Sequence, residues 1–311
     1  MAELRMLGSS GLATPALVLG GNVFGWTADR ERSFAILDAF VAGGGTMIDT
    51  ADVYSSWAPG NKGGESETII GEWLKARGNR HRVLIATKVG WQDGLAPETI
   101  ARGVEASLGR LQTDWIDLYY THKDDPAVPV ADFLGALDRL VDDGKVRAIG
   151  ASQISAERLD EAMAASKANG LTPYSVLQTW YNMLERPRYE GALAETVQRH
   201  GLGMVAFYSL ASGYLTGKYR SEADFSKSVR GGGMRDYFDG NGPAVVAALD
   251  AVAAELGATP AQVALAWTAA QPAVTAPIAS ATSLDQLGEL LGSLEISLSR
   301  DQIQRLDAAS A

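Results

Sequence analysis

The chain has 311 residues, of which 46% are hydrophobic and 21% charged, the proportions of an ordinary globular protein able to bury a large core. With 27 basic against 37 acidic residues its formal charge is −10, which repels polyanions and argues against a nucleic-acid partner. It contains no cysteine, so disulfides, thiolate nucleophiles and thiolate metal sites are excluded by count.

The opening MAELRMLGSSGLATPALV reads as a β-hairpin that turns between Gly8 and Gly11. Glu3 and the absence of an extended apolar stretch there do not resemble a secretory signal. No run of about eighteen apolar residues follows, so no membrane partner and a cytoplasmic location are expected. Short apolar runs then alternate with longer amphipathic stretches. Strands are expected near Val18–Gly21, Thr46–Thr50, Val83–Lys88, Trp115–Thr121, Val146–Ala151, Ser175–Trp180, Met204–Tyr208 and Val274–Ala279. Helical patterns fall at Asp29–Ala42, Glu65–Ala76, Pro97–Leu111, Val130–Asp143, Ala156–Asn169 and Tyr189–His200. Gly144, Gly170 and Gly201 stand just past three of these helices, where a left-handed residue closes the last turn.

Eight strands alternating with helices fit either a closed barrel or an open doubly wound sheet. Polar residues at the C-terminal ends of the runs (Asp49, Lys88, His122, Ser152, Gln178, Tyr208 and Ser280) favour the barrel, whose strand ends converge on one mouth. The expected fold is therefore an α/β (β/α)8 TIM barrel, one domain over residues 1–311, with an N-terminal β-hairpin. A long insertion after strand seven, roughly Ser212–Gly257 and rich in Gly, Arg and aromatics, reads as a mobile flap.

Lys88 ends the apolar run VLIATKVG, and an inward lysine is costly without a partner. Asp49, ending TMIDT, can supply one from an adjacent strand, either as a structural ion pair or as part of a reactive group. Tyr54 lies five residues further on, on a loop. A nearby ammonium is expected to lower its ordinary pKa of about 10 and make the phenol a usable acid and base. His122 stands at another strand end. With His81 and His200 in connections, no histidine cluster with metal-ligand spacing appears and no metal is expected.

The segments MIDTADVY, ATKVG, YYTH, IGASQ, LQTWYN, FYSLASGYLTGKY and PIASATSLDQL resemble, in that order, the signature segments of the aldo-keto reductase family, across almost the whole chain. The resemblance implies a (β/α)8 barrel that reduces an aldehyde or ketone to the alcohol, reversibly, with a nicotinamide dinucleotide. Asp49, Tyr54, Lys88 and His122 match the catalytic tetrad, in which hydride leaves nicotinamide C4 and Tyr54 supplies the proton. Ser152, Gln153 and Gln178 resemble the groups that hold the carboxamide, and Tyr208 the aromatic on which the nicotinamide stacks. Gly21, Asn22 and Val23 resemble the backbone along which the cofactor passes. Ser209, Leu210, Ala211, Gly213, Leu215 and Lys218 resemble the pyrophosphate loop. Ser280, Thr282, Ser283, Gln286 and Glu289 match the adenosine end.

A basic residue common near Ala281–Ser283 is missing here, and Leu290 replaces an asparagine. Lys218, Arg220 or Arg230 is expected to supply the absent charge for NADP (NADPH), with NAD the alternative. Trp26, Trp91, Trp180 and Tyr181 follow strand ends and are expected to wall an apolar pocket for a small-molecule carbonyl or alcohol substrate. Two rival readings are a Schiff-base lyase using Lys88 and a cofactor-binding sensor barrel. No heptad repeat or apolar interface patch is legible, which leaves a homo-oligomer open.

Overall fold

The computed structural model describes residues 3–311; Met1 and Ala2, the start of the expected hairpin, lie outside the described residues. The hairpin consists of β1 (Arg5–Met6) and β2 (Ala13–Thr14), paired antiparallel. Then come β3 (Val18–Gly20), α1 (Arg30–Ala42), β4 (Met47–Asp49), α2 (Glu65–Arg77), β5 (Leu84–Val89), α3 (Pro97–Leu111), β6 (Ile116–Thr121) and α4 (Val130–Asp142). The chain continues through β7 (Val146–Ser152), α5 (Ala156–Asn169), β8 (Val176–Trp180), α6 (Ala192–His200), β9 (Gly203–Phe207), α7 (Arg235–Asp239), α8 (Gly242–Leu256), α9 (Pro260–Ala270), β10 (Val274–Ala279), α10 (Leu284–Gly292) and α11 (Arg300–Ala309).

Strands β3 to β10 are parallel neighbours in sequence order, and β10 closes onto β3, which makes a (β/α)8 barrel and removes the open-sheet alternative. Closure leaves no free edge. Because side chains alternate across a strand, each strand contributes to two cores. One set, including Met47, Ala86, Leu118, Tyr120, Val176 and Val205, fills the barrel, and Leu7 and Leu12 of the hairpin belong to the same cluster. The other set, including Ile48, Ile85, Val89 and Tyr119, faces the helices.

Asp29 caps α1 by accepting from Arg32 N, and Gly170 and Gly201 close α5 and α6 in the left-handed region. The insertion between β9 and β10 is more structured than a flap. It winds through 3-10 turns into α7 and α8, and α8 buries Val245, Val246, Leu249 and Val252. Among the described residues no single helix is long and apolar enough to cross a membrane.

Candidate active site

Strand parity explains how the polar groups meet. Asp49 is two residues beyond Met47, Lys88 two beyond Ala86, His122 two beyond Tyr120 and Gln178 two beyond Val176, so each continues an inward-facing row into the mouth. Neighbouring registers pair Asp49 with Ala86 and Lys88 with Tyr120. Lys88 Nζ donates to Asp49 Oδ2 at 2.7 Å, to Thr50 O at 2.7 Å and to Tyr54 OH at 2.9 Å. Asp49 also accepts from Gln178 Nε2 through Oδ1 at 2.7 Å and from Tyr54 OH at 3.3 Å. His122 joins through its ring, 6.0 Å from that of Tyr54 between centroids.

The electrostatics correct one expectation. Burial, and after it the Asp49 carboxylate, push the Tyr54 phenol well above its ordinary value instead of lowering it. The ammonium, 2.9 Å from the phenol oxygen, does not reverse this, because burial is the largest effect and the adjacent Asp49 carboxylate adds to it. Burial also lowers Lys88, against the opposing pull of Asp49. Desolvation, helped by Lys88 and Lys123, takes His122 down to about 2, so the imidazole is neutral near pH 7.

Asp49, Tyr54 and His122 line a cleft of about 840 Å3, and Lys88 lies buried outside its lining. Asn22, Val23, Trp26, Trp91, Ser152, Gln153, Gln178, Trp180, Tyr208, Ser209, Leu210, Gly213, Lys218, Arg230, Ser280, Thr282, Gln286 and Glu289 all line it. The side chains of Lys218 and Arg230 have no carboxylate or hydrogen-bond partner among the described residues. They rest over Tyr219 at 5.0 Å and Trp26 at 5.5 Å respectively.

Several expected residues fall elsewhere. Tyr181 is one position out of phase with Trp180 and points behind the barrel wall, where it packs on Trp267 and donates to Glu190. Gly20 lines the cleft where Gly21 does not, and the Gly21 N–H is bonded to Asp49 O. A Cβ on Gly20 would lie 2.4 Å from Ser280 Oγ, so any side chain there would have to displace that hydroxyl. Ala211 and Leu215 are fully buried outside the lining. The N–H groups of Ala211, Gly213 and Leu215 close turns onto Tyr208 O and Leu210 O, so these main-chain donors are already spent. Ser283 caps α10 and lines a shallow neighbouring depression, not the cleft. Arg220 is paired with Asp250.

Other groups at the site were not singled out in the sequence. Trp57, 47% exposed, meets Trp26 edge-on at 5.8 Å and Tyr54 at 6.0 Å. Its only signal was an aromatic three residues beyond Tyr54. Asn182 donates to Tyr208 O at 3.0 Å. Behind the barrel wall, buried Glu67 accepts from Thr87 and Arg110. Asp52 stands close by with one buried carboxylate oxygen unpartnered. Thr87 is out of phase with Lys88, and that alternation is the trace such a second layer leaves in sequence.

A closed parallel barrel whose strand ends gather Asp49, Tyr54, Lys88 and His122 at one cleft has counterparts among known proteins. The chain belongs to the aldo/keto reductase family, whose profile it matches over residues 16–311. It is 35% identical over 286 residues to aldo-keto reductase str7 of Strobilurus tenacellus, covering 89% of this chain and 80% of that protein. A probable voltage-gated potassium channel subunit beta of Arabidopsis thaliana is 32% identical over 308 residues, covering 94% of this chain and 92% of its own. The uncharacterized oxidoreductase YrpG of Bacillus subtilis is 34% identical over 318 residues, covering 98% and 95%. Family membership makes the protein an oxidoreductase of the carbonyl-reducing kind, in a family that generally uses NAD(P)H.

Proposed function

We propose that the protein reduces an aldehyde or ketone to the alcohol with NADPH, and that Tyr54 supplies the proton. The observation that carries this is the Lys88 ammonium 2.9 Å from the Tyr54 oxygen, in a cluster that also contains Asp49. Burial keeps Tyr54 a neutral phenol, the form able to give a proton to a carbonyl oxygen that is gaining charge. As the proton leaves, negative charge appears on the phenol oxygen, and the ammonium already in contact stabilises it. Asp49 and Thr50 O hold that ammonium in place. Neutral His122 offers a ring N–H to the substrate oxygen without adding a charge that would compete for the phenol's proton.

The donor set fits a nicotinamide dinucleotide. Ser152 Oγ is buried and has no partner. Gln178 and Gln153 each give one amide N–H to protein, to Asp49 and to His122 O, and keep their amide oxygens as acceptors. One hydroxyl donor and two acceptors complement a carboxamide. Tyr208, 43% exposed, offers a stacking face, and Lys218 and Arg230 offer cations for phosphate oxygens. When bound, the reduced nicotinamide supplies the hydride.

Trp26, Trp57 and Trp91 surround Tyr54 and His122, a wall suited to flat, apolar carbonyl compounds. The Schiff-base alternative is disfavoured, because all three N–H bonds of Lys88 are engaged and its side chain is 1% exposed. Fluorescence titration with NADPH and NADH, followed by turnover on aromatic aldehydes and ketones, tests the proposal. Tighter NADPH binding and carbonyl-dependent NADPH oxidation are expected. Binding without turnover across that panel would transfer the assignment to a dinucleotide-binding sensor, and no binding would end it.

A further inference from the structure

Tyr208 sits in the left-handed region with φ 59°, a conformation that a side chain other than glycine holds only when its surroundings demand it. Asn182 fixes its backbone, but what fixes the ring is Trp180. The two rings lie 4.0 Å apart and 7° from parallel. The Arg188 guanidinium lies 4.4 Å from the same indole centroid. Two planar groups that each need about 3.5 Å of clearance cannot share one face of an indole, so Trp180 is sandwiched between them. Tyr208 lines the cleft and Arg188 does not, which sets the order from outside inward: Arg188, Trp180, Tyr208, cleft.

The outer end of this stack is anchored. Arg188 Nε donates to Glu185 Oε2 at 2.7 Å, and Glu185 Oε1 accepts from Tyr237 OH of α7 at 3.1 Å. The indole itself has no such anchor, because its Nε1 is buried with no hydrogen-bond partner among the described residues. Its place depends on ring contacts alone. Trp180 thus turns its edge to the cleft while its faces serve Tyr208 and Arg188.

We propose that Trp180 is a positioning residue for the nicotinamide end of the cofactor: backed by Arg188, it holds the Tyr208 ring flat as the platform on which the nicotinamide stacks. This rests on the reading of the cleft as a NAD(P)H site. Removing the indole frees a half-exposed phenol to leave its stacking pose, and the cost falls on the part of the ligand that touches it. A phenyl ring at position 180 restores the stack, since the indole N–H bonds nothing.

The test compares NADPH with 2′-phospho-ADP-ribose, the same dinucleotide without its nicotinamide, by titration of wild type, Trp180→Ala and Trp180→Phe. An aromatic stacking contact corresponds to about a tenfold change in affinity at most. We expect Trp180→Ala to weaken NADPH by about that factor while leaving the nicotinamide-free ligand within about twofold, and Trp180→Phe to recover most of the loss. Equal weakening of both ligands would show damage to the fold at large and overturn the proposal. Tighter NADPH binding by Trp180→Ala would show that the indole obstructs the seat, and would also overturn it. A wild-type protein that binds neither ligand refutes the cofactor site itself, an outcome distinct from variants that bind like wild type.

Discussion

The two sides of the cleft are built on different terms. On the β4–β5 side, Asp49, Lys88 and Tyr54 satisfy one another, with Gln178 reaching across from β8 to complete Asp49. On the β7–β9 side and in the insertion, groups stand open. Among the described residues, Ser152 Oγ is buried without a partner, and Lys218 and Arg230 have no carboxylate. The first region is a finished device that the protein makes by folding. The second is left open, and a desolvated guanidinium or hydroxyl is costly until something polar meets it. One part of the site thus has its polar groups paired by the fold, and the other has polar groups that the fold leaves unpaired.

The harshest way to break that contrast is Lys88→Met. It leaves Asp49 in the barrel mouth without its cation, and breaking a buried pair from one side costs about 3–5 kcal/mol. Urea unfolding should show that loss, and carbonyl reduction should vanish. Replacing both partners, Asp49→Leu with Lys88→Met, should restore much of the stability and none of the activity. A Lys88→Met protein as stable as wild type would mean that the pair is not integral to the fold.

Tyr54→Phe is gentler on the fold and nearly as severe on chemistry. It removes the hydroxyl 2.9 Å from Lys88 while keeping the ring against Trp57 and His122. Loss of a positioned proton donor is worth about 10²–10⁴ in rate, so kcat should fall within that range while the NADPH Kd stays near wild type. Unchanged turnover would require another proton donor. On the open side, Arg230→Gln should weaken NADPH by about tenfold, with the gap narrowing as salt is added, because a charge-assisted contact is lost. A smaller effect on NADH would place the guanidinium at the 2′-phosphate; an equal effect would place it on the shared pyrophosphate.

The same division governed what could be read from sequence. The barrel was legible because apolar runs and amphipathic helices alternate with regular spacing, and α3, α5 and β10 fall at the expected residues. Asp49, Lys88, His122 and Gln178 were legible because a polar residue ending an apolar run is conspicuous, and strand parity sends it inward. Tyr181 shows the limit: one step past Trp180 in sequence, it faces the other side of the wall. In the insertion there is no period to follow. Left-handed backbone at Tyr208, Ala211 and Ser212 turns main-chain donors back on the segment itself, and nothing in the residue types announces that. The phenol's acidity was misjudged for a related reason, because burial and the closeness of the Asp49 carboxylate depend on geometry, not on which residues are present.

The smallest expected effect sharpens the boundary of the finished region. Asp52, three residues beyond Asp49, has a buried oxygen without a partner, and its carboxyl is pushed up to about 7, by burial first and then by Glu67. Arg110 and Lys88 oppose that rise, and Arg110 is already committed to Glu67. An unfolded aspartate ionises near 3.9, so over this interval the folded state holds a proton that the unfolded state has released. The resulting stabilisation is fully present below about pH 4 and disappears as pH rises through about 7. Asp52→Asn removes this dependence. Its stability relative to wild type should therefore improve between pH 5 and pH 8, by on the order of 2 kcal/mol. Thermal or urea unfolding at the two pH values reads the difference directly. A constant offset would mean that Asp52 ionises normally, and that the self-contained cluster ends at Asp49 and Lys88.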